Sequence, residues 1–220
     1  MLLLAKDAFL SKTDAVKLGG GTWRPWSMDA FVSHEIAHQW WGHHLVPAPV
    51  DGGTFLTESV TKYAETLVLE RMHGAAQVRN LRAVELDRYL SGRVGEVEPP
   101  LFEAAGQPFL FYSKGLLVMG ALRDLLGAEA LESALRSLMA AESGPAGNAK
   151  TIDLLEHLDA VAPVSDRPLI DDWMKRVVLY DLAVSSARSS RLPDDRYEIT
   201  MEVRASKVFI DEAGRERPMA

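Results

Sequence analysis

Four of the chain's six histidines and one glutamate fall within the eleven residues 34–44, inside the stretch VSHEIAHQWWGHH at 32–44. On a helix, His34 and His38 are four residues apart, so their imidazoles leave one face and can converge on a single ion. Glu35 sits one residue round, within reach of a water on that ion without being a ligand. This is the HExxH spacing, in which two neutral histidines bind zinc and the glutamate serves as general base. Three fixed residues in five also recur by chance in unrelated proteins, so the pentad needs context.

A catalytic zinc takes three protein ligands and keeps one position open. The chain has no cysteine, so the third ligand must be His, Asp or Glu. Four residues qualify: His43, His44, Asp51 and Glu58. His44 stands six residues after His38, where HExxHxxGxxH has its last histidine. That pattern needs a glycine where Trp41 stands, and Gly42 comes one residue late. His43 reads as a solvated helix-end residue, and Asp51 as a turn residue in a glycine-rich loop. Glu58 opens the next helix after a proline-rich loop. It either faces His34 and His38 across an antiparallel helix pair or is a first-turn glutamate favoured by the helix dipole. Trp40 and Trp41 read as packing residues.

The elements that must position these groups are mostly helical. Three glycines and a proline in KLGGGTWRPW make residues 1–26 an opening segment without a long helix. Ser27 is placed to cap a helix through about Gly42, with Asp29 in its first turn. A second helix is expected from Thr57 to Gly74, and Gly74 suits the position after its last turn. Further helices are expected over about 76–93, 110–126, 128–142 and 152–162, with a short one in PLIDDWMKRVV. Beyond Val177 the period changes. RYEITMEVRASKVFI alternates, and LYDLAVSSA can pair with it across LPDD. The expected organisation is a helical domain over 27–176 followed by the first strands of a truncated β domain over 177–220, since two strands alone make a poor domain.

Apolar residues make up 47% and charged residues 25%, as in a soluble globular protein. The net charge of −7 and the lack of any Lys/Arg run exclude a nucleic-acid binder. The leucines of MLLLAKDAFLSK are too few for a signal peptide or a membrane span. The chain as given is expected to be soluble.

HEIAHQWWG, then FLTESVTKYAE, then FYSKG together resemble the membrane alanine aminopeptidase family of gluzincin metallopeptidases. They come nearest to the branch fused to a bacterial ABC-type permease. The resemblance implies a mainly α, thermolysin-like catalytic domain, one zinc ion held by His34, His38 and Glu58, and Glu35 as general base. It also implies Tyr112, in FYSKG, as the phenol that stabilises the tetrahedral intermediate. From the residues alone, Tyr112 reads as a core aromatic. The implied substrate is a peptide, and the implied parent a membrane-tethered protein with a permease portion. Three departures stand out. Nineteen residues separate His38 from Glu58 where the family has eighteen, and a residue among Pro47–Gly53 is expected to absorb the extra one. Thr57 and Ser59 replace the usual Asn and Gly. The Gly-x-Met-Glu-Asn segment, which binds a substrate's free N-terminus, is not present. Two alternatives follow: a catalytically silent zinc-binding domain of a transporter-linked protein, and a metzincin-like endopeptidase using His44.

Overall fold

The computed structural model describes residues 27–95, 97–211 and 214–219. The expected opening segment, 1–26, lies outside the described residues. The described chain is mainly helical and ends in an antiparallel sheet. In order it runs α1 (Ser27–Ala37), β1 (Leu45–Pro47), a π-helical turn (Phe55–Ser59), α2 (Val60–His73) and α3 (Ala75–Gly92). A short 3-10 turn (Leu101–Glu103) and a second π-helical turn (Phe109–Lys114) lead into α4 (Gly115–Leu126). Then come α5 (Ala128–Glu142), β2 (Gly144–Ala149), α6 (Thr151–Val161), α7 (Arg167–Met174), β3 (Val178–Arg191), β4 (Tyr197–Ile210) and β5 (Glu216–Met219).

The later helices match the spacing expectation closely, because their apolar stripes have somewhere to go. Phe55, Leu56, Leu110, Met119, Leu122 and Leu131 are fully buried in one core with Leu138, Leu154, Leu158 and Met174. Each such side chain contributes on the order of 2 kcal/mol when removed from water. Gly74 and Gly127 adopt positive φ, 82° and 84°, where the chain leaves α2 and α4.

The first helix differs from expectation. It ends at Ala37 rather than near Gly42. Gly42 takes φ 113°, and its N–H reaches Leu45 O at 2.9 Å while Leu45 N–H returns to Trp40 O at 2.8 Å. That tight loop stops the helix and starts β1, which pairs in parallel with β2. β1 falls in the proline- and glycine-rich stretch expected as a loop, and β2 in the stretch left between two expected helices.

Helices α1 and α2 are antiparallel neighbours. Asp29 in the first turn of α1 meets His73 in the last turn of α2, Oδ2 to Nε2 at 2.8 Å. The opposite ends, with His34 and His38 on α1 and Glu58 just before α2, must therefore also meet.

The two expected segments pair as the β3–β4 hairpin, whose first strand runs on to Arg191; Tyr197 stands opposite Arg191 and Val203 opposite Val184. Asp195 at the turn takes φ 62°. The hairpin joins α7 through the buried Asp172, which accepts from Arg176 at 2.7 Å and Lys207 at 2.6 Å. Leu182, Ile199 and Met201 are each more than half exposed on it. No described helix is long and apolar enough to cross a membrane.

Candidate metal centre

His34, Glu35, His38, Glu58 and Tyr112 arrive from three elements. The first two lie on α1, and His38 follows in the turn that continues it, its N–H still bonded to His34 O at 3.3 Å. Glu58 lies in the first π-helical turn and Tyr112 in the second. A π-turn carries one more residue than an α-turn between bonded groups. In the first, Val60 N–H reaches Phe55 O, five residues back. The residue in excess of the family's spacing therefore has room here, in the turn that carries Glu58, and not only among Pro47–Gly53.

His34 Nε2 lies 3.3 Å and His38 Nε2 3.6 Å from Glu58 Oε2. The three side chains are the one group of potential metal ligands among the described residues, their ligand atoms within 4.8 Å of one another. Glu58 Oε2 is buried and has no partner within hydrogen-bonding geometry. A tetrahedral ion with bonds of about 2.0–2.2 Å spaces its ligand atoms about 3.3–3.6 Å apart. The donor set fits such an ion, and both imidazole–carboxylate distances fall in that range.

The far sides of both imidazoles are held. His38 Nδ1–H donates to Trp41 O at 3.0 Å, with Thr61 Oγ1 3.4 Å away. His34 Nδ1 faces the buried Glu65 Oε2 at 3.4 Å. Lys62 Nζ clamps both oxygens of Glu65, at 2.9 and 3.0 Å, and lies 3.7 Å from the buried Glu85. Glu85 in turn accepts from Arg88 at 2.9 Å and from Ser113 at 2.7 Å. Both imidazoles thus present Nε2 to Glu58, and the partners on Nδ1 favour the tautomer that leaves Nε2 free whenever the ring is neutral.

The same contacts set the ionisation. Burial alone would lower the His34 pKa, but the Glu58 and Glu65 carboxylates outweigh it and lift it from 6.5 to about 9. Burial would raise Glu58, yet His34 and His38, with the Tyr112 hydroxyl, bring it below its ordinary value. Tyr112 is pushed up to about 12 by burial and by the Glu58 and Glu35 carboxylates, so its hydroxyl stays a proton donor at neutral pH. Its ring centroid is 5.9 Å from that of His34.

A cleft of about 670 Å³ opens beside these groups. His34, Glu35 and Tyr112 line it together with Phe31, Val84, Phe109 and Arg88. His43 and His44 are exposed and stand outside the ligand group. His43 Nδ1–H donates to His38 O at 2.7 Å, as a helix-end residue does. Asp51 is exposed in a turn. Trp41 packs on the core, whereas Trp40 is 53% exposed, so the packing expectation holds for one of the pair only. Glu65 and Lys62 were not anticipated. Glu65 stands two helical turns after Glu58, so the two carboxylates share a face, and that spacing is the signal available in the sequence.

The peptidase family M1 domain matches residues 25–174. Endoplasmic reticulum aminopeptidase 1 from Homo sapiens is 26% identical over 155 residues, which is 66% of this chain and 16% of that protein. A mutant M1 zinc metallopeptidase from Deinococcus radiodurans, solved with a Tyr-Ser-Ala substrate, superposes with a TM-score of 0.52 at 23% identity. It covers 66% of this chain and 32% of its own. The same mutant, solved as a second structure, gives 0.53 at 24% identity, covering 66% and 33%. The chain therefore spans about a sixth of the human relative and about a third of the bacterial one. The family match covers most of this chain, from just ahead of α1 to the end of α7, and the chain belongs to peptidase family M1.

Proposed function

We propose that this domain is a zinc metallopeptidase that hydrolyses peptide bonds, with one zinc ion held by His34, His38 and Glu58. The observation that carries the reading is Glu58 Oε2, a buried oxygen without a hydrogen bond, set 3.3 and 3.6 Å from two imidazole Nε2 atoms. An orphaned buried carboxylate oxygen is costly unless something binds it. Zinc, when bound, supplies Lewis acidity that polarises the peptide carbonyl and makes a water nucleophilic near neutral pH.

The chain's own groups do the rest. Glu35, half-buried on the cleft wall, takes the proton of the attacking water and passes it to the leaving amine. Tyr112, protonated at neutral pH, donates its hydroxyl hydrogen to the oxyanion that develops on the carbonyl oxygen. Glu65 and Trp41 O hold the two imidazoles in the tautomer that leaves Nε2 free. The substrate lies in the cleft, against Phe31, Val84 and Phe109. A permease portion in a longer parent chain belongs to the reading through the motif resemblance alone.

Purified protein should take up about one zinc per chain, and His38→Ala should lose it. Glu35→Gln should keep zinc and lose hydrolysis. Wild-type protein that binds no zinc, or a Glu35→Gln variant as active as wild type, would sink the reading. Tyr-Ser-Ala and an N-terminally blocked hexapeptide, assayed side by side, separate exopeptidase from endopeptidase action.

A further inference from the structure

We infer that Ser59 is a positioning residue that braces one π-helical turn against the other and so sets Tyr112 against Glu58. The inference rests on the roles given to those two residues above. Ser59 follows Glu58 directly and is fully buried. Its hydroxyl donates to Phe111 O at 2.6 Å, across 52 residues of chain. Phe111 directly precedes Tyr112. One hydrogen bond therefore joins the neighbour of the proposed ligand to the neighbour of the proposed oxyanion donor.

The acceptor is available because the second turn is π-helical. In an α-helix, Gly115 N–H would bond to Phe111 O, four residues back. Here it reaches Leu110 O and Tyr112 O instead. The carbonyl passed over is buried, and a buried carbonyl needs a donor. Ser59 supplies one from the other turn.

Gly115 completes the fit. A Cβ at this position would lie 2.1 Å from Ser59 Oγ and 2.6 Å from Ser59 Cβ. The backbone that follows Tyr112 is thus seated on the Ser59 side chain, with no space for a larger residue. The outer side of the same turn is tied separately, by Ser113 to Glu85 at 2.7 Å and by Lys114 to Glu98 at 2.5 Å. Those bonds keep the turn folded when the brace is cut. What is lost is the registry of the hydroxyl with the metal ligands.

The test is a double-mutant cycle on the full zinc-loaded chain with Ser59→Ala, Tyr112→Phe and the double variant. Three quantities are read: zinc stoichiometry, calorimetric affinity for a phosphinic dipeptide, and kcat and KM on a peptide substrate. The phosphinic group places tetrahedral oxygens where Tyr112 would donate. Ser59→Ala should keep one zinc, lose roughly tenfold in phosphinate affinity and in kcat, and hold KM within about twofold. Ser59→Ala should then add little in the Tyr112→Phe background, because the hydroxyl it positions is already gone. Gly115→Ala, which presses on Ser59 from the opposite side, should show the same signature and serves if Ser59→Ala does not fold. Additive losses, or a Ser59→Ala variant equal to wild type, would overturn the inference alone. Wild-type protein that takes neither zinc nor phosphinate overturns the functional reading itself, and the brace with it.

Discussion

His34 faces one carboxylate with each ring nitrogen: Glu58 Oε2 lies 3.3 Å from Nε2 and Glu65 Oε2 3.4 Å from Nδ1. Glu65 is 1% exposed and clamped by Lys62, so it cannot turn away to water. A partner of this kind fixes ring orientation and raises ligand basicity, and its removal typically lowers metal affinity by about 10–100-fold. Glu65→Gln should weaken zinc binding by that factor without abolishing it, as measured by competition against a chromophoric chelator. Unchanged affinity would show that His34 is oriented by its packing alone.

Zinc uptake should release protons. In the metal-free protein His34 is protonated below about pH 9, whereas a ligand imidazole must be neutral. Apparent affinity should therefore fall about tenfold per pH unit below 9, through this one group. Calorimetry in two buffers of different ionisation enthalpy should count about one proton released near pH 7.5.

The same shift governs the stability of the metal-free protein. The folded-state pKa lies above the unfolded 6.5, so the stabilisation is complete below pH 6.5 and is lost as pH rises through about 9. The unfolding midpoint of chelator-treated protein should drop across that window. The zinc-loaded protein should not follow it there.

Tyr112→Phe should lower kcat by about 10²–10³ with zinc content unchanged, the usual cost of removing one oxyanion donor. Because burial and two carboxylates push the phenol up to about 12, its deprotonation should add no alkaline limb to the rate profile below about pH 11. A loss expressed only in KM would place the hydroxyl on the bound substrate rather than on the oxyanion.

Glu98 offers a test of stability apart from the metal centre. It is buried and takes Lys114 at 2.5 Å, Arg93 at 3.1 Å and Tyr89 OH at 2.9 Å. Glu98→Ala strands the buried Lys114 ammonium, and breaking such a pair costs about 3–5 kcal/mol. Denaturant unfolding should report that loss while zinc stoichiometry stays at one.

Much of this arrangement was legible in the residues. The helices from Ala75 onward followed their apolar spacing, because each stripe meets the core. The i,i+4 spacing put His34 and His38 on one face, whereas the residues alone left Glu58 open between a ligand and a first-turn glutamate, and only the motif resemblance favoured the ligand. The end of α1 was not, since the run through Trp40 and Trp41 keeps a helical pattern and only the Gly42 turn, closed by Leu45, breaks it. β1 and β2 were hidden by prolines and glycines, their pairing being a long-range contact that local composition does not carry. The Glu65–Lys62–Glu85 line was missed because charged residues on a helix ordinarily face water, and nothing local says that Glu65 and Glu85 are buried.

The first π-helical turn changes what residue counting can report. Each residue added to a helix advances the angular phase by about 100°, enough to swing a side chain from one face to another. A turn that opens to π geometry takes up one such step and returns the following residues to their original azimuth. The join between Phe55 and Ser59 is such a turn, so one extra residue within it leaves the phase of α2 unchanged. The count between His38 and Glu58 is for that reason a poor gauge of whether the carboxylate faces the histidines.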